Sequence, residues 1–204
     1  MFLCAMSKKQ DAQDAGEALL DIDHKAHAAA EQKRGSLTVR VAGMLSDIGD
    51  QPQARMLCAG VLLLGLARRD ARLFGAGARM LVAHELATAA KSAVKHRVDR
   101  RRPRSASDRD DEKPRPGHSR DKEDNSFPSG HSAGAMAIAS AYAAVYPQHR
   151  VPALLGAGAV AAAQIPRCAH YPSDVGAGLA IGAASSGVVS LVWRIVLRLT
   201  RLPV

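Results

Sequence analysis

The sequence predicts an all-α fold, a helical bundle interrupted by one long polar loop. On both sides of that loop, from residue 37 to residue 193, apolar residues recur at helical spacing or fill whole segments. These segments are rich in Gly, Ala and Ser, which let helices pack closely. A chain of 204 residues can bury one sizeable core, so one domain is expected.

Two regions precede the apolar segments. Residues 1–35 are charged and Ala-rich and predict a partly helical N-terminal tail, whereas residues 36–204 predict a single helical domain. An amphipathic helix opens that domain and is expected to lie on a membrane or to cover a core. Its apolar face carries Leu37, Val41, Met44, Leu45 and Ile48.

Five segments that are apolar or helical in pattern follow, at residues 56–67, 73–95, 132–148, 151–166 and 175–193. A full membrane span needs about 20 mostly apolar residues. Only the last segment meets that length comfortably, with 19 uncharged positions in a row. We therefore expect a membrane-embedded bundle, and the buried helices of a soluble bundle are the alternative.

The composition limits the partners. A net charge of +9 and a pI near 9.9 suit phosphate-bearing molecules such as lipid headgroups, nucleotides or nucleic acid. Aromatic residues make up only 3%, which argues against single-stranded nucleic acid bound by base stacking. Cys4, Cys58 and Cys168 are too few and too scattered for a disulfide framework or a zinc site, so each is expected to be a small apolar residue.

Residues 96–126 predict a long polar loop, because they are charged, contain proline and hold almost no aliphatic side chains. Loops of this length often carry function. This loop separates two blocks of the same helical domain. The N-terminus lacks a basic start followed by a long apolar run, so no secretory signal is expected.

The first candidate motif is "KHRVDRRRP", in which Lys95 and Arg102 lie seven residues apart. Seven residues make two helical turns, so we expect both cations on one helix face until Pro103 ends the helix. Two cations at one helix end could clamp a phosphate. The alternative is a basic run that flanks a membrane or binds nucleic acid, because Asp99 alone opposes the surrounding cations: Lys91, Lys95, Arg97, Arg100, Arg101, Arg102 and Arg104.

The second motif, "NSFPSGHSAGA", predicts a loop that becomes a helix near Ser129 and Gly130. A helix start presents free backbone N–H groups and a partial positive charge, so it can seat an anion. His131 could then give a proton to the group attached to that anion. The alternative is an ordinary helix cap followed by a solvent-exposed histidine.

The third motif, "RCAHYPSDVGAG", places His170 four residues before Asp174. Pro172 and Ser173 predict the start of the last helix, with Asp174 in its first turn. The carboxylate could accept a hydrogen bond from the imidazole, fix its tautomer and leave the other nitrogen free as a nucleophile. The alternative is an acid that only interacts favourably with the helix dipole.

Two apolar segments, 132–148 and 151–166, lie between the second and third motifs. Two passes return the chain to the side it left, so the three motifs are expected to meet on one face. No acidic cluster with metal-ligand spacing accompanies the histidines. The sequence therefore predicts a site without a metal or other cofactor.

In this order, Lys-x6-Arg-Pro, Pro-Ser-Gly-His and His-x3-Asp resemble the motifs of the phosphatidic acid phosphatase type 2 superfamily, over roughly residues 36–195. The resemblance implies a helical bundle, which is membrane-embedded in lipid phosphatases and soluble in some acid phosphatases and haloperoxidases. It implies His131 as the general acid, His170 as the nucleophile that accepts the phosphoryl group, and Asp174 as its orienting partner, with no metal. It also implies four residues that bind the phosphate: Lys95, Arg102, Ser129 and Gly130.

The chain departs from the family pattern at one position. The family usually has an arginine six residues before the nucleophilic histidine, and here that residue is Gln164. Arg167 lies one helical turn nearer to His170, so we expect it to supply the missing guanidinium to the phosphate. The apolar segments before the basic motif also number only two, with the amphipathic helix in place of a third.

The resemblance implies an integral membrane phosphatase that hydrolyses a phosphate monoester or diphosphate of a lipid through a phosphohistidine, and no nucleic acid partner. One alternative is a soluble acid phosphatase or vanadate-dependent haloperoxidase on the same scaffold. Another is a non-catalytic basic protein that binds a membrane surface or nucleic acid. The positive-inside rule favours a cytoplasmic position for residues 96–104, whereas the resemblance places the active face on the outer side of a bacterial-type inner membrane.

Overall fold

The computed structural model describes residues 2–200, without the side chains of residues 2–9 and 12. Seven α-helices make up most of this part of the chain: α1 (Phe2–Glu31), α2 (Leu37–Ser46), α3 (Gln51–Ala67), α4 (Ala71–Lys95), α5 (Gly130–Val145), α6 (Arg150–Ala162) and α7 (Pro172–Thr200). Short 3₁₀ turns occur at Asp47–Gly49, Pro103–Ser105 and Pro147–His149. Two strands of two residues each, β1 (Val98–Asp99) and β2 (Arg115–Pro116), pair antiparallel inside the polar loop. The all-α prediction is confirmed.

Helix α5 is the centre of the bundle. It packs against α4, α6 and α7, and α3 packs against the outer side of α4. The chain passes up and down, so that α3, α5 and α7 begin at the same end of the bundle at which α4 and α6 finish. The polar loop and the functional motifs gather at this end, which we call the loop end.

Small residues allow the central helices to approach backbone to backbone. The core is built mainly of alanine, with Ala133, Ala137 and Ala141 of α5 almost completely buried. A Cβ atom on Gly182 of α7 would lie 2.3 Å from the carbonyl oxygen of Ala133, and one on Gly178 would lie 2.5 Å from that of Ser129. Glycine at these positions therefore sets how closely α7 approaches the start of α5.

Large apolar side chains lie on the outside of the bundle. The predicted apolar face of α2 points outward, with Leu37, Met44 and Leu45 each at least 70% exposed. Helices α3 and α7 also carry exposed large apolar residues: Met56, Leu57, Leu63, Leu64, Leu66, Val188, Leu191, Val192, Ile195, Val196 and Leu199. Among the described residues, one helix, α7, is long and apolar enough to cross a membrane.

Several local expectations can be compared with this fold. Helix α1 runs without a break from Phe2 to Glu31 of the N-terminal tail, and residues 32–35 form a turn. Cys58 and Cys168 are buried free thiols, as expected for small apolar residues, and the side chain of Cys4 lies outside the described set. Helix α7 begins at Pro172 and holds Asp174 in its first turn, as the sequence predicts.

The contact between α5 and α7 provides a stability prediction with a matched control. We expect Gly182→Ala to lower the free energy of unfolding by about 1–3 kcal/mol, because its new methyl group meets the backbone of α5. Gly187→Ala on the same helix, where a Cβ would contact nothing within 4 Å, should be neutral or slightly stabilising. Thermal unfolding in detergent compares the two variants, and equal melting temperatures would contradict the prediction.

Candidate active site

A polar cavity of about 450 Å³ opens at the loop end of the bundle. Both candidate catalytic histidines, His131 and His170, line it. Its walls carry two acidic side chains, Asp47 and Asp50, and six cationic ones: Lys91, Lys95, Arg102, Arg104, Lys122 and Arg167. This excess of positive charge suits a multiply charged anion such as a phosphate ester.

The start of α5 contributes one wall of the cavity. Gly130 is its first residue and His131 its second, and both line the cavity. The first turn of a helix leaves backbone N–H groups without intrahelical acceptors, so this wall offers donors to an anion. The Nε2 atom of His131 lies 2.9 Å from a carboxylate oxygen of Asp50, which precedes α3.

Ser129 has a different position from the one the motif suggests. It is completely buried beneath the cavity and is not among the residues that line it. Its Oγ accepts hydrogen bonds from the backbone N–H of Ser132, at 3.4 Å, and from the Ser132 hydroxyl, at 2.9 Å. Its own N–H donates to the carbonyl oxygen of Asp174. Ser129 therefore caps α5 and ties it to α7, and its role as a phosphate ligand stays a prediction.

His170 and Asp174 face each other across the first turn of α7. The imidazole Nδ1 lies 3.7 Å from Oδ2 of Asp174, which is an ion-pair distance and longer than a hydrogen bond. The carboxylate is held by its other partners: Oδ2 accepts from the Ser126 hydroxyl at 2.5 Å and from the Tyr171 N–H at 2.9 Å. Oδ1 accepts from Nη1 of Arg100 at 2.6 Å. With Nδ1 toward Asp174, Nε2 is the ring nitrogen left for chemistry.

Burial lowers the pKa of His170 to about 4, because its side chain is only 3% exposed and the imidazolium loses its hydration there. The Asp174 carboxylate raises this pKa, and the nearby cations Arg102 and Lys95 lower it. The net result is a neutral imidazole at physiological pH. A neutral ring is the form that a nucleophile needs.

The side chains of Lys95 and Arg102 lie close together, although no single helix carries both residues. Helix α4 ends at Lys95, and β1 separates it from Arg102, whose backbone is extended. The shared-face prediction is therefore wrong, because the chain leaves the helix to pair with β2. Both side chains nevertheless donate to the carbonyl oxygen of Asn125, Lys95 through a short contact and Arg102 at 3.4 Å. The loop before the second motif thus brings the two cations together.

Gln164 and Arg167 both line the cavity and both reach toward α2. Nε2 of Gln164 donates to the Ser46 hydroxyl and to the Val160 carbonyl, each at 3.1 Å. Nη1 of Arg167 donates to the same hydroxyl at 2.8 Å and to Asp47 at 2.7 Å. The guanidinium of Arg167 therefore stands at the cavity wall, paired with a carboxylate.

Two groups of cavity residues were not singled out by the sequence as site residues. The Lys91 ammonium would lie 2.8 Å from a Cβ placed on Gly130, so it stands directly against the start of α5. Its spacing of four residues from Lys95, one helical turn, was the signal for it. Asp47 and Asp50 lie far upstream of both histidines and carried no local signal.

Folding also creates the acidic cluster that sequence spacing did not reveal. One ligand atom each from Asp47, Asp50 and His131 lie within 4.8 Å of one another. The observation that no acidic cluster accompanies the histidines holds along the chain and is wrong in three dimensions. Arg167 pairs with Asp47 in this cluster, so part of its negative charge is already balanced.

Comparison with known proteins identifies the family and the fold. The sequence model of the PAP2 superfamily matches residues 76–198. A crystal structure of a transmembrane PAP2-type phosphatidylglycerolphosphate phosphatase from Bacillus subtilis superposes with a TM-score of 0.56, covering 84% of each chain at 19% identity, and so shares the fold.

Two curated relatives match over a shorter stretch. Lipid A 1-phosphatases from Rhizobium johnstonii and Rhizobium etli are 43% and 41% identical to this chain over 68 residues. The matched stretch is 33% of this chain and spans 28% and 29% of those relatives.

The environment of His170 predicts its titration. We expect its ring to become protonated near pH 4 instead of near 6.5, because burial disfavours the cation. The unfolded chain then binds more protons than the folded one between these two values, so the free energy of unfolding should rise with pH through that window. NMR of ring-labelled histidine, assigned with His170→Gln, measures the titration. A midpoint near 6.5 would contradict the prediction.

Proposed function

Because this chain belongs to the PAP2 superfamily, we propose that it is a phosphatase that cleaves a phosphate monoester or diphosphate of a lipid through a phosphohistidine. The observation that carries this proposal is the cavity in which His131 and His170 face the cations Lys95 and Arg102. A buried carboxylate, Asp174, stands behind His170. Two histidines with separate carboxylate partners can divide the roles of nucleophile and proton carrier.

In the first step, the Nε2 lone pair of His170 attacks phosphorus in line with the bond to the leaving oxygen. The new N–P bond forms as the P–O bond breaks, and His131 gives its proton to the departing oxygen. The phosphorylated ring is cationic, and Asp174 stabilises it from the Nδ1 side. Lys95, Arg102 and the N–H groups at the start of α5 surround the equatorial oxygens.

In the second step, water attacks the phosphorus of the phosphohistidine. His131, now neutral, accepts a proton from that water, and the N–P bond breaks to return neutral His170 and inorganic phosphate. Asp50, 2.9 Å from Nε2 of His131, stabilises the proton that this histidine must hold before the first step and regains in the second.

The surroundings of the cavity support a lipid substrate. An apolar cavity of about 500 Å³ runs between α3, α5 and α6 and adjoins the polar cavity at Gly49, which lines both. Its walls include Ile48, Leu57, Ile138 and Val160. A substrate with a phosphate and an acyl chain would match this change from polar to apolar surface.

The distribution of side chains supports integration in a membrane. Large apolar residues face outward on α2, α3 and α7, and small residues fill the core. Helices that associate inside lipid favour small residues at their contacts, because lipid already solvates large apolar ones. We propose an integral membrane protein of the bacterial inner-membrane type.

We further propose that the cavity faces the outer side of the membrane. Several cations of the polar loop line the cavity or, like Arg100, form buried ion pairs, so they are poor indicators of topology. The opposite end of the bundle exposes a separate set of arginines: Arg68, Arg69, Arg72, Arg150, Arg194 and Arg198. The positive-inside rule applied to that end places it in the cytoplasm.

We propose that the reaction needs no metal ion. The cations around the cavity supply the positive charge that a phosphoryl group requires. The cluster of Asp47, Asp50 and His131 is where an ion would bind, and His131 already has a proton-transfer role there.

The function is tested with detergent-purified protein and a panel of phosphorylated lipids, with EDTA present. We expect phosphate release from at least one lipid monophosphate or diphosphate, and unchanged turnover when the chelator is added. A requirement for detergent or lipid would separate a membrane enzyme from a soluble phosphatase. Loss of activity with EDTA that magnesium restores would contradict metal independence, and no turnover of any phosphate ester would contradict the phosphatase.

The two histidines should respond differently to substitution. His170→Ala should abolish turnover of every substrate, because each needs the nucleophile. His131→Ala should be partly rescued by a phenolic phosphate whose leaving group needs no proton. His149→Ala, at the opposite end of the bundle, is the matched control and should be unaffected. Equal and unrescued losses in both site variants would remove the division of roles.

Arg167 is proposed to replace the arginine missing at Gln164. Arg167→Ala should then cost about 2–4 kcal/mol of transition-state stabilisation, measured as kcat/KM, which is typical of losing one preorganised donor. Gln164→Ala should cost little, and Gln164→Arg should restore part of the rate to Arg167→Ala.

Asp47→Asn distinguishes a phosphate-binding role of Arg167 from one in which Arg167 only anchors α2. If Arg167 only anchors α2 through Asp47, this variant should reproduce the loss, whereas a phosphate-binding Arg167 should work as well or better without its carboxylate partner. A change of less than about twofold in Arg167→Ala would show that the site works without this arginine.

A further inference from the structure

Helix α1 buries one carboxylate in the support of the active site. Asp23 is only 1% exposed, although neighbouring positions of α1 such as Leu19 and Ile22 are more than half exposed. Its Oδ1 accepts from the N–H of Ser173 at 3.0 Å, and its Oδ2 accepts from the Ser173 hydroxyl in a short contact. Oδ2 also accepts from Nη2 of Arg100 at 2.7 Å.

Arg100 joins this carboxylate to Asp174. Its side chain is 1% exposed and stacks over the ring of Tyr171, with its guanidinium carbon 4.0 Å from the ring centroid. Nη1 donates to Asp174 at 2.6 Å and to the Ser173 hydroxyl at 2.7 Å. One buried cation is therefore shared between two buried carboxylates.

A second route leads from α1 to the same arginine. His24 and His27 of α1 contact the buried carboxylate of Glu112, with Nδ1 atoms 3.1 and 2.6 Å from its oxygens. The carbonyl oxygen of Glu112 accepts from Nε of Arg100 at 2.7 Å. Three groups that hold the Arg100 guanidinium therefore depend on the position of α1: Asp23, the Ser173 hydroxyl and the Glu112 carbonyl. Because Arg100 also donates to Asp174, the orientation of Asp174 depends on α1 as well.

The charges around His170 explain why it matters that Arg100 is shared between Asp23 and Asp174. The groups that face His170 are the cations Lys95 from α4 and Arg102 from the polar loop, and the carboxylate of Asp174 from α7. If Arg100 paired with Asp174 alone, its positive charge would offset the only carboxylate among them. Asp23 supplies a second negative charge to Arg100, so Asp174 keeps more of its own for the cation that forms on His170.

We propose that Asp23 is a positioning residue for catalysis, which acts through Arg100 to orient Asp174 and preserve its negative charge. The inference rests on the proposed phosphatase function. It assigns the N-terminal helix to the catalytic support, although none of the α1 residues whose side chains the structure describes lines the cavity.

Asp23→Asn tests the proposal against Asp21→Asn on the same helix, whose carboxylate is 43% exposed and pairs with Lys25 and Arg109. We expect Asp23→Asn to lower kcat about tenfold or more while KM stays within about twofold, because the phosphate-binding cations are untouched. Asp21→Asn should keep both constants. A kcat within about twofold of wild type, or equal effects of both substitutions, would overturn the proposal.

A double-mutant cycle with Asp174→Asn separates positioning from general destabilisation. If Asp23 acts through Asp174, adding Asp23→Asn to Asp174→Asn should cause no further loss of the residual kcat. Multiplicative losses would show that Asp23 acts elsewhere, for example only on folding. Each rate is divided by the concentration of folded, active protein in the sample.

A second variant keeps the test valid if Asp23→Asn does not fold. Ser173→Ala removes the hydroxyl that contacts both Asp23 and Arg100, and it should lower kcat with KM little changed. Unchanged kcat in Ser173→Ala would then overturn the proposal. If wild-type protein released no phosphate, the function itself would fail, whereas active wild type with a normal Asp23→Asn variant would overturn only this inference.

Discussion

The burial of one carboxylate organises the functional end of this protein. Asp174 is completely buried, and a buried charge costs several kcal/mol unless other groups compensate it. Its compensation comes from Arg100 and Ser126 of the polar loop and from the N–H of Tyr171. The backbone carbonyl of Asp174 accepts a hydrogen bond from the N–H of Ser129, which caps α5. The loop, α5 and α7 are therefore held together at the point where Asp174 faces His170.

In this bundle the small side chains lie inside and the large apolar ones outside, which is the reverse of the usual arrangement. Alanine and glycine fill its centre, and leucine, isoleucine and valine cover its outside. Close helix contacts such as that at Gly182 follow from small residues, which leave little room for adjustment between α5 and α7. A rigid contact of this kind suits a site whose residues come from several helices, because their relative positions depend on how the helices pack.

The cavity combines cations in fixed positions with a histidine that stays neutral. Lys95 and Arg102 donate to the carbonyl of Asn125, so their positions are set before any anion arrives. Preorganised charge of this kind costs little reorganisation when a transition state forms. His170 remains neutral in the same surroundings because burial opposes its protonation. A cationic cavity and a neutral imidazole can therefore coexist.

Local spacing in the sequence determined the all-α fold, the start of α7 at Pro172 and the convergence of the three motifs, because helix ends and chain returns are set by short-range chemistry. It predicted the wrong route for Lys95 and Arg102, which meet through a loop carbonyl and not on one helix. The cluster at Asp50 and the link from Asp23 to Asp174 were decided by tertiary structure alone. These contacts join residues far apart in the chain, and only the packing of α1, α3 and the polar loop brings them together.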